Sequence, residues 1–205
     1  RQVLDQAYVT YERLFGDLTV LAGLRLEDEH LDLTQTTLGA EAQRDNLRSS
    51  PSLHLAYKLT DAQQVSASYS RRVQRPSPDD LNPFAIQTDP TDLRAGNLNL
   101  KPQQTDSFEL GYQYRKGQTS YLATFYYRIA NDEFTPVTRD LGGGVSVTRP
   151  ENLGSSRSGG VELVANGRLA SSVKYSLSTN TFWKEVEADN LGFAGARAAL
   201  GVSGN

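Results

Sequence analysis

The eight residues from Ser107 to Tyr114 read Ser-Phe-Glu-Leu-Gly-Tyr-Gln-Tyr, with a large apolar or aromatic side chain at every second position. Successive side chains of a β-strand point to opposite faces, so the alternation separates two surfaces. One surface carries Phe108, Leu110, Tyr112 and Tyr114. The other carries Ser107, Glu109, Gly111 and Gln113. This period-two pattern predicts a strand with one apolar face and one polar face.

The same alternation recurs along the whole chain, and helical spacing does not fit these windows. It is clear from Leu18 to Leu26, from Leu53 to Leu59, from Val65 to Tyr69 and from Val173 to Trp183. We therefore predict an all-β protein of about nine strands. They are expected near residues 6–15, 17–30, 47–59, 63–74, 105–115, 118–130, 155–168, 172–186 and 195–205.

Short and long connections alternate between these strands. Short polar turns are expected at Gly16-Asp17, Thr60-Asp61-Ala62, Arg115-Lys116-Gly117 and Leu169-Ala170-Ser171. Long loops are expected at about 30–46, 75–104 and 131–156, and a shorter one near 186–194. Outer-membrane barrels combine tight periplasmic turns with long extracellular loops, whereas a soluble sandwich has no such rule. The pattern favours an antiparallel transmembrane β-barrel over a soluble all-β domain.

The composition fits a membrane barrel. The longest apolar run, Val20 to Leu24, is far shorter than the ~20 residues of a spanning helix, which excludes a helical membrane protein. A hydrophobic content of 38% remains compatible with a barrel, because only alternate strand residues must be apolar. A net charge of −3 argues against a partner nucleic acid, and the absence of cysteine excludes disulfides and thiolate metal sites.

Aromatic residues form two groups along the predicted strands. Near the short turns lie Phe15, Tyr57, Tyr112, Tyr114, Tyr121 and Tyr175, and toward the long loops lie Phe125, Tyr126, Tyr127, Phe182 and Trp183. A strand running from Tyr175 to Trp183 and tilted by ~40° spans roughly 20 Å, close to the ~25 Å apolar band of such barrels. Because amphipathic rings prefer the headgroup level, two groups indicate two membrane interfaces.

Two segments carry a family likeness. Residues 71–84 read Arg-Arg-Val-Gln-Arg-Pro-Ser-Pro-Asp-Asp-Leu-Asn-Pro-Phe, and residues 96–112 read Gly-Asn-Leu-Asn-Leu-Lys-Pro-Gln-Gln-Thr-Asp-Ser-Phe-Glu-Leu-Gly-Tyr. Further along, Arg-Pro-Glu-Asn-Leu-Gly at 149–154 precedes Ser-Gly-Gly-Val-Glu-Leu at 158–163. With the strand pattern, these motifs make most of residues 50–188 resemble the barrel of the TonB-dependent receptors.

The resemblance implies the C-terminal part of a larger barrel of about 22 strands. We expect residues 1–205 to be a partial outer-membrane barrel domain, with the plug domain and the final strands outside it. An unpaired ninth strand in lipid would leave backbone groups unsatisfied, which also indicates a fragment. Energy coupling belongs to the missing N-terminal part of the family's architecture and is assigned to no residue here.

The implied function is an outer-membrane receptor for energy-dependent uptake of a bulky nutrient, in the class of iron chelates, cobalamin or glycans. The implied location is the bacterial cell outer membrane. The implied partners are outer-membrane lipid and lipopolysaccharide, the small-molecule nutrient, and an inner-membrane energy-coupling protein. A structural or adhesive barrel without active transport is the alternative, and a soluble β-sheet protein is a third reading.

Candidate substrate contacts are polar residues with inward parity, together with the loops at 75–104 and 131–156. They are Arg72, Glu109, Gln113 and Asn180. Arg71 has outward parity, and with Arg72 and Arg75 it suits either lipopolysaccharide phosphates, the opening for an anionic substrate, or simple solvation. His54 is expected to face the lumen.

No constellation of residues predicts catalysis, a metal site or a cofactor. His30 and His54 have no ligand partner at a suitable spacing. The acidic residues Asp79, Asp80 and Asp89, with Asp92, lack the spacing of a calcium loop and are expected in a solvated loop. Leu141-Gly142-Gly143-Gly144 has no strand-to-helix context and is expected at a flexible loop tip.

Overall fold

The computed structural model describes residues 1–35, 40–152, 154–170, 173–188 and 193–204. Its elements in chain order are β1 (Gln2–Phe15), β2 (Leu18–Gln35), β3 (Ala40–Thr60), β4 (Gln63–Gln74), α1 (Pro78–Leu81), β5 (Ile86–Gln87), β6 (Asp92–Arg94), β7 (Gln103–Lys116), β8 (Thr119–Asn131), β9 (Phe134–Gly142), β10 (Val145–Asn152), β11 (Ser155–Ala170), β12 (Val173–Ala188) and β13 (Phe193–Gly204). No helix in this part of the chain is long and apolar enough to cross a membrane.

Nine strands form one antiparallel sheet in the order β1-β2-β3-β4-β7-β8-β11-β12-β13. Strands that are neighbours in this sheet are consecutive among the nine, as in an up-and-down barrel wall. This confirms the number and approximate positions of the predicted strands. The short turns are confirmed where they are described, and Gly16 and Gly117 adopt left-handed φ angles of 59° and 60° there. Ser171 and residue 172 lie outside the described residues.

Most of the exposed large apolar side chains of this sheet lie on one face, the face that carries Leu110. On that face the rings of Tyr69 and Phe108 lie 5.1 Å apart near the long-loop end. The Tyr127 and Trp183 rings lie 6.3 Å apart on either side of Gly159. We call this face the outer face and the opposite one the polar face.

A second aromatic row crosses the outer face near the short turns. Tyr114 stacks on Tyr121 at 5.8 Å, and the Tyr121 and Tyr175 hydroxyls are 3.2 Å apart. The structure thus has two rows at two levels, as expected from the sequence. Tyr126 and Phe182 do not belong to the upper row, because both lie across from Gly160 on the polar face. Their position near Tyr127 and Trp183 in sequence concealed the change of face.

The prediction of a loop at 30–46 is wrong. β2 continues to Gln35 and pairs along its whole length with β3, which begins at Ala40; residues 36–39 lie outside the described part. These strands have 18 and 21 residues, against the ~9–11 that cross a bilayer, so they project beyond the upper aromatic row. The segment Ala-Glu-Ala-Gln-Arg-Asp-Asn at 40–46 hid the start of β3, because a mostly polar stretch without large apolar residues is typical of a loop.

The long loops at 75–104 and 131–156 contain a second sheet with the order β5-β6-β10-β9. β6 pairs parallel to β10, and β9 and β10 form a hairpin whose tip has positive φ angles at Gly142, Gly143 and Gly144. We name residues 75–102 and 132–152, which contain α1, β5, β6, β9 and β10, together the cap. The prediction that these segments leave the main sheet is confirmed, but they are folded rather than loop-like.

The cap has its own hydrophobic core against the projecting part of β2. Leu31, Leu81 and Leu100 are fully buried there, and Leu33 and Phe134 pack around them. Leu81 ends α1, which begins at a capping box in which Ser77 and Asp80 bond each other's backbone N–H. The cap is therefore packed like a small soluble domain on the long-loop end of the sheet.

Candidate functional site

A cavity of about 530 Å³ opens on the polar face where β4, β7 and β8 approach the cap. Its walls are mostly polar, and they include three charged side chains. The lining residues are Ser70, Arg72, Val73, Gln74, Gln103, Thr105, Ser107, Glu109 and Arg128. Two of the four predicted contact residues, Arg72 and Glu109, therefore line the same cavity.

Arg72 presents a free cation to this cavity. It lies opposite Thr105 on the polar face, as its parity predicted. Within the described part of the chain, its guanidinium has no ion pair or hydrogen bond, and the residue is exposed. A guanidinium carries five N–H donors in a planar fork, which suits carboxylate and phosphate oxygens.

The other charges of the cavity form a connected group. An Arg128 guanidinium nitrogen lies 3.6 Å from a Glu109 carboxylate oxygen, and its guanidinium carbon is 4.5 Å from the centre of the Tyr126 ring. The Tyr126 hydroxyl donates to Asn180 Oδ1 over 3.1 Å. A contact with an aromatic face and an ion pair together orient Arg128. Asn180, the third predicted residue, thus supports the cavity through Tyr126.

Gln113, the fourth predicted residue, lies elsewhere. It is on the polar face of β7, four residues nearer the short turn than Glu109, between Gln64 and Leu122 in the register. It does not line the cavity. If a solute moves along the polar face, it would meet Gln113 only after leaving the cavity.

Sequence reasoning missed Arg128 and Tyr126. Both have the parity of Thr124, so an alternation test across β8 would have placed them on the polar face. The dense run of aromatic residues at 125–127 masked this signal. Gly160 is the residue that leaves room for the Tyr126 ring, because a Cβ there would lie 2.5 Å from the Tyr126 hydroxyl oxygen.

The two arginines near Arg72 in the sequence have other roles. Arg71 bonds Asp106 through Nε at 2.8 Å and a second nitrogen at 3.4 Å on the outer face. Tyr69 donates to the same carboxylate over 2.7 Å. Arg75 reaches the buried Glu27 and lies 4.0 Å from the buried Glu29. Of the three arginines, only Arg72 faces the cavity.

The two loops that build the cap are joined to each other. Asn97 donates to the Pro150 carbonyl over 3.2 Å. The Asn152 side chain accepts from the Lys101 backbone at 2.8 Å and donates to the Lys101 and Asp132 carbonyls at 3.0 and 2.7 Å. These bonds add to the parallel pairing of β6 with β10, so the loops form one unit above the cavity.

Charged groups of the cap are held in specific pairs. The Arg139 guanidinium donates to both oxygens of Glu151 at 3.1 and 2.7 Å, and Arg149 donates at 2.9 Å. The hydrogen bond from Arg139 is the main cause that lowers the pKa of Glu151, although burial opposes it. This pairing fixes the base of the β9–β10 hairpin.

The acidic residues Asp80, Asp89 and Asp92 of the first long loop accept hydrogen bonds that stabilise the cap. Asp80 completes the α1 capping box, and Asp89 accepts from the Thr91 and Asp92 backbone at 2.9 Å each, which lowers the pKa of Asp89. Asp92 accepts from Ser146 Oγ over 2.5 Å. In the described part of the chain, no group of three or more His, Cys, Asp or Glu residues is arranged to hold a metal ion.

The two histidines lie on opposite faces. His54 is on the polar face across from Leu21 and Ser68, as its parity predicted. His30 is in the projecting part of β2, where its Nδ1 is 2.7 Å from an Asp45 oxygen and its Nε2 is 3.5 Å from Asp28. The hydrogen bond with Asp45 raises the pKa of His30.

A two-faced antiparallel sheet with aromatic rows at two levels, short turns at one end and a folded cap at the other defines a bacterial outer-membrane barrel wall. Residues 2–202 match the model of the outer membrane protein beta-barrel family. The chain belongs to this family, and it resides in the bacterial outer membrane. No curated protein matches the sequence.

Solved structures show the same fold. The copper transporter OprC matches with a TM-score of 0.74 and 19% identity, over 97% of this chain and 32% of that one. The Serratia marcescens hemophore receptor HasR matches with a TM-score of 0.74 and 14% identity, over 99% and 40%. The Pseudomonas aeruginosa siderophore receptor PirA matches with a TM-score of 0.64 and 14% identity, over 99% and 50%.

These matches confirm the resemblance to TonB-dependent receptor barrels that the sequence motifs indicated. They concern the fold, since all three identities are below one fifth. The chain spans from about a third to half of the length of these proteins. The family is one of membrane barrels, and the three proteins are a transporter and two receptors rather than enzymes.

Proposed function

We propose that the protein is an outer-membrane receptor that takes up a bulky nutrient in an energy-dependent manner. Residues 1–205 would form part of the wall of a larger barrel, with the plug domain and the final strands supplied by other segments. This is supported by the similarity to a copper transporter, a siderophore receptor and a hemophore receptor, each of which is longer than this chain.

The observation that carries the proposal is the charged cavity directly beneath the cap. A barrel with only a structural role has no need of a free arginine and an oriented arginine–glutamate pair on its polar face. A solute that enters from the long-loop end would pass the cap and then meet Arg72, Glu109 and Arg128. Ligand sites combine a concave shape with a few well-placed polar groups in this way.

Within this function, the four polar-face residues take different parts. Arg72 and Glu109 would contact the nutrient in the cavity, and Asn180 would act by holding Tyr126. Gln113 would contact the solute further along the polar face. The nutrient class is an iron chelate, cobalamin or a glycan, with metal chelates favoured by the metal-related neighbours.

Two of the proposed partners, lipid and lipopolysaccharide, would contact the exterior of the barrel at different levels. The outer face contacts outer-membrane lipid, and the exposed residues above the upper aromatic row would contact lipopolysaccharide. An inner-membrane energy-coupling protein would act through segments outside residues 1–205.

Growth of a gene-deletion strain tests this function. The strain is complemented with the full-length gene and supplied with single iron chelates, copper chelates, cobalamin or oligosaccharides as the limiting nutrient. We expect one nutrient class to require the gene, and expect the variant Arg72→Gln to slow growth on it. The variant Arg157→Gln, which changes an exposed outer-face arginine, is the matched control. Normal growth of the deletion strain on every nutrient, with a weakened cell envelope, would support a structural barrel instead.

A further inference from the structure

We propose that the cavity beneath the cap binds an anionic oxygen group of the ligand, such as a carboxylate or a phosphate. This inference rests on the proposed function and specifies the ligand chemistry of the same site. Arg72 would supply the free cation, and Arg128 would be a second, positioned donor. Neutral ligands such as plain oligosaccharides would be poor occupants.

The net charge of the residues that line the cavity favours an anionic ligand. Arg72 and Arg128 together outnumber Glu109, so the lining carries one net positive charge, while the whole sequence carries −3. The remaining lining residues are neutral, and five of them carry a hydroxyl or amide group. They are Ser70, Gln74, Gln103, Thr105 and Ser107. These groups supply donors that can complete the coordination of oxygen atoms.

Arg72 differs from Arg71, Arg75 and Arg139 in having a guanidinium that is free within the described part of the chain. Arg71 is committed to Asp106, Arg75 to Glu27, and Arg139 to Glu151. Arg72 shows no such partner in the described part of the chain, although it faces a cavity of about 530 Å³. Pockets for small ligands have about 300–1,000 Å³, so there is room for a chelate-sized group.

Arg128 is held in place before any ligand binds. The Tyr126 ring lies against its guanidinium, and Asn180 accepts from the Tyr126 hydroxyl. The ion pair with Glu109 is loose at 3.6 Å, and one carboxylate cannot engage all five N–H donors. An arriving anion would therefore bond free Arg128 donors without first breaking a tight pair.

The proposal predicts opposite effects for two neighbouring charges. Removing the Arg72 cation should weaken anion binding, whereas removing the Glu109 charge should strengthen it, because Glu109 repels the anion and occupies Arg128. A site for a cationic ligand predicts the reverse for both variants. A neutral-ligand site predicts no consistent sign.

The test measures binding to the purified full-length protein in detergent at low ionic strength. Citrate and inorganic pyrophosphate serve as anionic probes, and maltotriose serves as the neutral probe. Calorimetry should give weak binding of at least one anionic probe. Arg72→Gln should weaken it roughly tenfold, as loss of a charge-assisted hydrogen bond implies. Glu109→Gln should strengthen it by about threefold.

Two further variants make the result specific. Arg72→Lys keeps the charge but loses the planar fork, so it should bind the anion less tightly than the unmodified protein and more tightly than Arg72→Gln. Arg157→Gln makes the same change of net charge as Arg72→Gln, but on the outer face, and should leave binding unchanged. Unchanged mobility of the folded band on unheated gels checks that each variant is folded.

The proposal is overturned if maltotriose binds more tightly than both anions, if neither anion binds, or if Glu109→Gln weakens binding. A failed growth test would remove the transport function but would leave measured anion binding intact. Conversely, uptake of a nutrient without anion binding would keep the function and reject this ligand chemistry.

Discussion

The nine-stranded sheet and the cap bury their apolar side chains against different partners. On the outer face of the sheet, Leu110 is 57% exposed and stands among other exposed apolar residues. In the cap, Leu100 is 0% exposed and packs with Leu31 and Leu81. The sheet therefore relies on lipid to cover its apolar surface, whereas the cap forms a buried core with the projecting part of β2.

This difference explains how each region tolerates charge. The polar face of the sheet keeps Arg72 free and Glu109 loosely paired, which leaves both available for a ligand. At the contact between the cap and the projecting part of β2, Glu27 and Glu29 of β2 are instead buried, and Arg75 pairs with them. The weakly paired charges therefore lie in the candidate site, whereas the strongly paired charges stabilise the contact between the cap and β2.

The largest expected effect comes from breaking the buried charge group that joins the cap to β2. Arg75→Ala leaves Glu29 buried without its cation, and Glu27 with only Arg25. Removing one partner of a buried pair costs about 3–5 kcal/mol. Hydrogen exchange followed by mass spectrometry should show lost protection in the cap and in the projecting parts of β2 and β3, and unchanged protection in the membrane-spanning part of the nine-stranded sheet.

Arg157→Ala is the control for this change, because its side chain is exposed on the outer face. It should leave protection in both regions unchanged. Equal loss of protection in the cap and in the membrane-spanning part of the sheet after Arg75→Ala would contradict the view that these two regions are stabilised separately.

A slightly smaller effect is expected from a cavity in the cap core. Leu100→Ala removes a fully buried side chain and should lower the local stability of the cap by about 2–5 kcal/mol. Leu177→Ala, on the lipid-covered outer face, should leave the exchange of the cap unchanged. The comparison fails if the two variants destabilise the cap equally.

The lipid-covered surface is probed by a charge placed in the middle of a strand. Leu110→Lys should destabilise the folded barrel by about 2–4 kcal/mol, the cost of a lysine near the bilayer midplane. Thr124→Lys, one strand away on the polar face, should cost far less. Folding of the full-length protein into phospholipid vesicles at increasing urea concentration measures both. A larger loss for Thr124→Lys would reverse the assignment of the faces.

The smallest effect concerns the pH dependence of the β9–β10 hairpin. The pKa of Glu151 is lowered in the folded state by the hydrogen bond from Arg139. Its contribution to stability is therefore present above the unfolded pKa and is lost as the pH falls through the folded pKa.

A spin label on Leu141→Cys reports the motion of the hairpin tip. Its mobility should rise on acidification from neutral pH to about pH 3. In Glu151→Gln it should be raised and nearly independent of pH. A label that stays immobile at low pH in the unmodified background would exclude this ion pair as the element that orders the hairpin.

The strands of the sheet could be predicted because each spanning strand has one face toward lipid and one toward water. Apolar and polar residues therefore alternate along its sequence. The cap could not be predicted, because its partners are distant in sequence. Ser146 meets Asp92 across 54 positions, and Arg75 meets Glu27 across 48. No local sequence pattern in β6 or β10 predicts that these strands, which lie in two separate loops, pair in parallel.

Some residues of the candidate site could be predicted by the same reasoning. Parity correctly placed Arg72 and Glu109 on the polar face, since parity is a local property of a strand. It could not show that Arg71 would pair with Asp106 while Arg72 stayed free, because that depends on β7. Tyr126 and Arg128 follow parity as well, but three successive aromatic residues in β8 obscured which face each one takes.

Accessibility along Ser107 to Tyr114 tests the central claim most directly. Residues 1–205 contain no cysteine, so single cysteines introduced at these eight positions can carry spin labels in the full-length protein in lipid vesicles, with any cysteine outside residues 1–205 replaced by serine. Labels at 108, 110, 112 and 114 should collide with oxygen, which partitions into lipid. Labels at 107, 109, 111 and 113 should collide with a water-soluble nickel complex. Equal access of the nickel complex to all eight positions would contradict a strand that separates lipid from an aqueous lumen.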